Sequence, residues 1–134
     1  MKRSIGVVIA VLLLLVFAAP PAALAGDLSA AQQNALKNAA VPVYPGSKYV
    51  TGDNIDATLV MWFGTTDSPE KIMDWYKKKL SGWSEMTVSG SRVIYKGPKG
   101  MDSKDLNSKP YIFARTKDET PEKNDAEITV RIPK

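Results

Sequence analysis

Few residue types in this chain can carry covalent chemistry. Its 134 residues include no histidine and no cysteine. That excludes a Ser-His-Asp relay, a thiol nucleophile, a thiolate zinc site, an iron–sulfur cluster and a thioether-linked haem. Carboxylate chemistry, serine–lysine chemistry, or binding without catalysis remain. Ser68-Pro69-Glu70-Lys71 has the spacing that sets a serine one helical turn from a lysine base. The same four residues also make an ordinary helix start, with a serine cap, a proline in the first turn and an acid against the helix dipole. Lys71 falls on the polar face of that helix, away from the burial a lysine base needs, so the cap is the better reading.

Asp53 with Asp56, and Asp102 with Asp105 beside Asn107, are oxygen-rich pairs of the kind that can hold calcium. Neither has EF-hand spacing, and such segments form turns without any ion. No metal site and no cofactor is expected. Lys96, Lys99, Lys104 and Lys109 lie in or beside a long polar stretch, Gly97 to Pro110. A stretch that long without regular structure is either functional or unstructured. Lys99, Lys104 and Lys109, with Tyr111 just beyond, are therefore the candidate ligand-binding residues, and no catalytic residue is assigned. Trp62, Trp75, Trp83, Tyr76, Tyr95, Tyr111 and Phe113 are many aromatics for a small domain. They could form a stacking platform, but their helix-face and strand-face spacing assigns most of them to the core.

The elements that must position these residues read as α+β. Leu28 to Ala39 has small apolar residues at helical spacing, with Ser29 and Gln32 as a capping box, and predicts a peripheral helix or linker over residues 26–40. Pro45-Gly46 marks a turn and Lys48–Thr51 a short strand. Gly52-Asp53-Asn54 reads as a second turn. Ala57–Phe63 is dense in β-branched and aromatic residues and reads as a central strand. Pro69–Leu80 is the best helix, with Ile72, Met73, Tyr76 and Leu80 on one face and Gly82 as its stop. Trp83–Val88 and Arg92–Lys96 form a hairpin about Ser89-Gly90-Ser91. Tyr111–Thr116 and Glu127–Ile132 are two more strands. Ile128, Val130 and Ile132 alternate with Thr129 and Arg131, which predicts a sheet with one wet face. The expected architecture is an antiparallel sheet of about five or six strands with one main helix packed on one face.

The first residues carry a different kind of information. Lys2 and Arg3 precede an apolar run from Ile5 to Phe17, and small residues follow to Ala23-Leu24-Ala25. This is the layout of a secretory signal peptide, with cleavage expected after Ala25. The run is shorter than the roughly 20 residues of a membrane span. An uncleaved N-terminal anchor is the alternative, and the small residues before Gly26 argue against it. Gly26 stands where a lipoprotein would need cysteine, and Lys2-Arg3 is not a twin-arginine pair. The expectation is a periplasmic or secreted product, residues 26–134, without stable membrane insertion. Removing Lys2 and Arg3 leaves 16 basic residues against 14 acidic ones. So balanced and mixed a charge is no nucleic-acid footprint.

Val41-Pro42-Val43-Tyr44-Pro45-Gly46-Ser47, then Phe63-Gly64-Thr65, Asp67-Ser68-Pro69-Glu70-Lys71-Ile72, Trp75-Tyr76, Leu80 and Gly82-Trp83 resemble a pattern in small exported bacterial proteins of unknown function. There a vPvYPGA opening precedes a strand and a DSPEEVvaFY…L…GW helix follows. The resemblance covers residues 41–96. Ser47 replaces the usual alanine and Trp75 the usual phenylalanine. It implies an α+β scaffold and export, and no catalytic residue. The reading that follows is a non-enzymatic periplasmic binding or accessory module whose partner is an envelope protein or a small ligand, acting through the wet face or the Gly97–Pro110 loop. The alternatives are a small Asp/Glu-dependent hydrolase or lyase and an envelope structural protein that oligomerises by a sheet edge.

Overall fold

Ten residues after Ser29 form the first regular element among the described residues, α1 (Ala30–Ala39). It is followed by β1 (Lys48–Ile55), β2 (Thr58–Thr65), α2 (Pro69–Lys79), β3 (Ser84–Val88), β4 (Ser91–Tyr95), a 3-10 helix (Ser103–Ser108), β5 (Tyr111–Thr116) and β6 (Ala126–Pro133). The structure, a computed structural model, describes residues 28–116 and 126–134. The expected leader with its cleavage point, and the Lys117–Asp125 connection, lie outside the described residues. All neighbouring strands pair antiparallel, in the order β1-β2-β6-β5-β4-β3. The fold is α+β, as the residue pattern predicts. Among the described residues no helix is long and apolar enough to cross a membrane.

Local chemistry explains α2. Ser68 has extended φ/ψ and its hydroxyl accepts from the Lys71 N–H at 3.2 Å, with Pro69 and Glu70 in the first turn. The serine–lysine pair is thus a cap, and Lys71 points outward to Asp67 at 3.5 Å. Ile72, Met73, Tyr76 and Leu80 are buried and Trp75 is half-buried, while Lys71, Asp74, Lys77 and Lys78 are exposed. The helix ends at Leu80, whose N–H reaches the Tyr76 carbonyl at 2.8 Å. Gly82, expected as the stop, is not in a left-handed conformation. The stop is set by the chain turning into Trp83, whose N–H bonds the Leu80 carbonyl at 2.9 Å.

The turns are equally specific. Tyr44 to Ser47 closes with a 3.1 Å bond from the Ser47 N–H to the Tyr44 carbonyl, and Gly46 at φ 83° takes the position an L side chain resists. Ser47 is fully buried and donates its hydroxyl to the same carbonyl at 2.6 Å, so this small site accepts a serine where the related pattern has alanine. Ser89 and Gly90, both at positive φ, make the two-residue hairpin between β3 and β4.

Three expectations are corrected. Gly52, Asp53 and Asn54 are not a turn. They pair with Met61, Val60 and Leu59, and the reversal occurs at Asp56-Ala57, with Asp56 at φ 55°. Ladder pairing with β2 overrides local turn preference, and an edge strand tolerates such residues. Gly97–Pro110 is not without structure. Asp102 caps the 3-10 helix and Leu106 buries itself against Val93, Tyr95 and Tyr111. That packing also removes the expected wet face on this half of the sheet. The side opposite the helices carries a second apolar cluster, completed by Met86, Val88, Met101 and Phe113, and Thr129 is only 4% exposed.

The larger core lies between the sheet and the two helices, with Met61, Phe63, Ile112, Ile128 and Val130 facing Leu36, Ile72, Met73 and Tyr76. Helix α1 is docked and not frayed: Leu36 and Ala39 join this core together with Leu28.

Candidate functional site

Where α1 crosses the end of the sheet, a cleft of about 570 Å³ opens. Its position follows from one contact. The Gln32 amide Nε2 donates to the Tyr49 hydroxyl at 2.9 Å, directly above Gly52. A Cβ on Gly52 would come within 2.6 Å of Gln32 Nε2, 2.7 Å of the Tyr49 oxygen and 3.2 Å of the Val60 carbonyl. Glycine therefore lets the helix approach the strand. The capping box at the start of α1, with Gln32 Oε1 accepting from the Ser29 N–H, fixes the same Gln32 side chain from its other end.

The cleft floor is apolar, from Ala35, Leu59, Pro110 and Ile132. Asn38, Asn54, Lys96 and Lys134 are the amide- and ammonium-bearing residues that join Gln32 in the cleft lining. None of the lining side chains is acidic. An apolar floor with a few convergent polar groups is the usual build of a small-ligand site, and the volume lies in the usual range. The Lys96 backbone is fixed by its N–H bond to the Pro110 carbonyl at 3.0 Å, which extends the β4–β5 ladder and aims the chain at the cleft rim. Amides can match carbonyl and hydroxyl groups, and the lysines match a negative charge. With no carboxylate side chain on its walls, the cleft offers an Asp/Glu-based reaction neither acid nor base.

The four candidates named from sequence are scattered. Lys99 lines a separate groove with Lys77, Trp83 and Glu85. Lys104 faces Asp102 at 3.8 Å on the surface. Lys109 follows the 3-10 helix, its N–H bonding the Leu106 carbonyl at 2.9 Å. Tyr111 is 8% exposed, stacked near Phe113 and covered by the Arg131 guanidinium at 5.5 Å, so it is a core residue. Among the aromatics, Tyr76, Tyr95 and Tyr111 are buried, while Trp62, Trp75, Trp83 and Phe113 are half-buried. Asp53 accepts from its neighbour's N–H and Asp102 caps a helix, so both acidic pairs have local structural work.

Sequence reading missed Asn38, Asn54 and Leu59 as cleft residues, because a lone amide in a helix and another in a strand carry no motif. Lys96 carried a weak signal at the edge of the lysine-bearing stretch. Compared with protein-family models, with curated proteins and with solved structures, the chain finds no match.

Proposed function

We propose that this protein is a non-enzymatic binding or accessory module, exported by its N-terminal segment, that takes a small anionic ligand bearing carbonyl or hydroxyl groups in the cleft between α1 and the sheet. The observation that carries this reading is the cleft's makeup: Asn38 and Asn54, whose side-chain amides have no hydrogen-bond partner among the described residues, together with Lys96, set over an apolar floor with no acidic side chain in the lining. Export is supported by the charged, apolar and small-residue segments before Gly26, and by the resemblance of residues 41–96 to small exported proteins. The hydrolase alternative lacks a convergent acid–base pair in this cleft.

The direct test is an NMR titration with small carboxylates, sugar acids and neutral sugars. Saturable shifts of the Asn38 and Asn54 side-chain amides are expected with the acids, and Asn38→Ala with Asn54→Ala should weaken binding about tenfold. A panel that leaves both amides unmoved would remove the cleft from the proposal. Amino-terminal sequencing of the envelope fraction tests export separately: Gly26 as first residue supports it and Met1 opposes it.

Self-association by a sheet edge has one observation in its favour. Val50 and Ile55, 53% and 40% exposed, lie on edge strand β1. The same strand carries Lys48, Asp53 and an irregular register between Tyr49 and Thr51, which are features that discourage edge pairing. Size-exclusion elution at two concentrations distinguishes the readings, since only the edge-paired form shifts with dilution.

A further inference from the structure

Three distant pieces of chain meet beyond the C-terminal end of α2. Lys77 comes from the last turn of the helix, Trp83 from the link into β3 and Lys99 from the loop after β4. Together they line a groove of about 330 Å³ that shares no lining residue with the cleft. Its floor is Leu80 and Ile94, 6% and 2% exposed, and Trp83 is half-buried at its side.

The charge balance of this groove is unequal. Its one acidic residue, Glu85, is already held by Arg92 through Nε at 3.2 Å and Nη2 at 3.0 Å. The same guanidinium takes Asp74 at 2.8 Å, so with Lys77 and Lys99 the five groups carry one surplus positive charge. Lys77 pairs with the same Glu85 at 4.0 Å, an exposed and long contact that an incoming anion can displace. Lys99 has no ion-pair partner among the described residues. Lysines in a last helical turn are accounted for by the helix dipole. Lys99, on a separate loop, is not, yet the fold places it on the same groove.

We infer that this groove is an anion site, taking a phosphate monoester carried on a flat ring. The phosphate sits between the Lys77 and Lys99 ammonium groups, and the ring lies against the Trp83 indole. A phosphate dianion can draw on both ammonium groups at once, displacing the long Lys77–Glu85 contact, which a single carboxylate does less well. The groove is independent of the cleft, so either reading can fail while the other stands.

Phenyl phosphate is the probe, followed by tryptophan fluorescence and by NMR, with benzoate, inorganic phosphate and phenol as comparisons. Saturable quenching is expected with phenyl phosphate, about tenfold weaker binding with inorganic phosphate, and none with phenol. Trp83→Phe should abolish the quenching while the NMR shifts of β3 and β4 persist. Lys77→Gln and Lys99→Gln should each weaken binding by up to about fivefold. The proposal is overturned if the folded double variant titrates like the parent chain, or if phenyl phosphate gives no saturable signal up to about 10 mM.

Discussion

The Tyr44 hydroxyl donates a 2.6 Å hydrogen bond to Oδ2 of Asp67, joining the turn before β1 to the residue just ahead of the α2 cap. Trp75 packs edge-on against the Tyr44 ring at 5.3 Å, and the Tyr76 hydroxyl reaches the Pro42 carbonyl at 2.9 Å. The turn, the helix and two aromatic rings therefore form one unit, built from the residues that resemble the exported-protein pattern.

This bond makes stability depend on pH in both directions. The bond to Tyr44, aided by the charge of Lys71 and opposed by desolvation, holds the Asp67 carboxyl below its ordinary 3.8. Its contribution is present above that ordinary value and is lost as pH falls through the lowered one. Burial, then the bond to Asp67 and its charge, push Tyr44 from 10.0 up to about 12. That contribution is present below pH 10.0 and is lost as pH rises toward about 12. Tyr44→Phe should lower the melting temperature at neutral pH and flatten the acid limb, as urea unfolding across pH would show. Tyr76 is also raised by burial, so part of the alkaline limb should survive.

Gly52→Ala should release α1 without unfolding the sheet. The first atoms its methyl meets are the tips of Gln32 and Tyr49, and the Val60 carbonyl behind them cannot yield as easily. Hydrogen exchange should quicken over 30–39 and stay slow in β6. Unchanged protection in α1 would show that the Gln32–Tyr49 contact does not hold the helix.

Leu106→Ala should cost about 2–4 kcal/mol, since a buried side chain in a packed cluster leaves a cavity. The expected sign beyond the lower denaturation midpoint is faster proteolysis within 97–110. A solvated loop would show neither change.

Arg131→Met should leave the melting temperature equal or higher. Arg131 Nε is buried without a hydrogen-bond partner among the described residues, and the guanidinium lies over the face of Tyr111 at 5.5 Å. Methionine keeps the packing and removes the unsatisfied donor. A clear drop in melting temperature would mean that the cation–ring contact outweighs the desolvation cost.

Helix α2, its Ser68 cap, the Tyr44–Ser47 turn and the Ser89-Gly90 hairpin could all be read from the chain because each is decided within a few residues, by a side chain, a φ preference or a period. Strand β2 was readable for the same reason, and Ile128, Val130 and Ile132 announced the buried face of β6. The extension of β1 through Gly52-Asp53-Asn54 was not readable, since its cause is a ladder to Leu59, Val60 and Met61 that local preference cannot anticipate. Nothing local marks Leu106 as buried within the polar stretch 97–110; its burial comes from packing against Tyr95 and Tyr111. The cleft gathers Asn38, Asn54, Lys96 and Ile132 from four separate elements or their ends. No spacing rule links residues so far apart; their meeting is a product of strand order and of how closely one helix can approach one glycine.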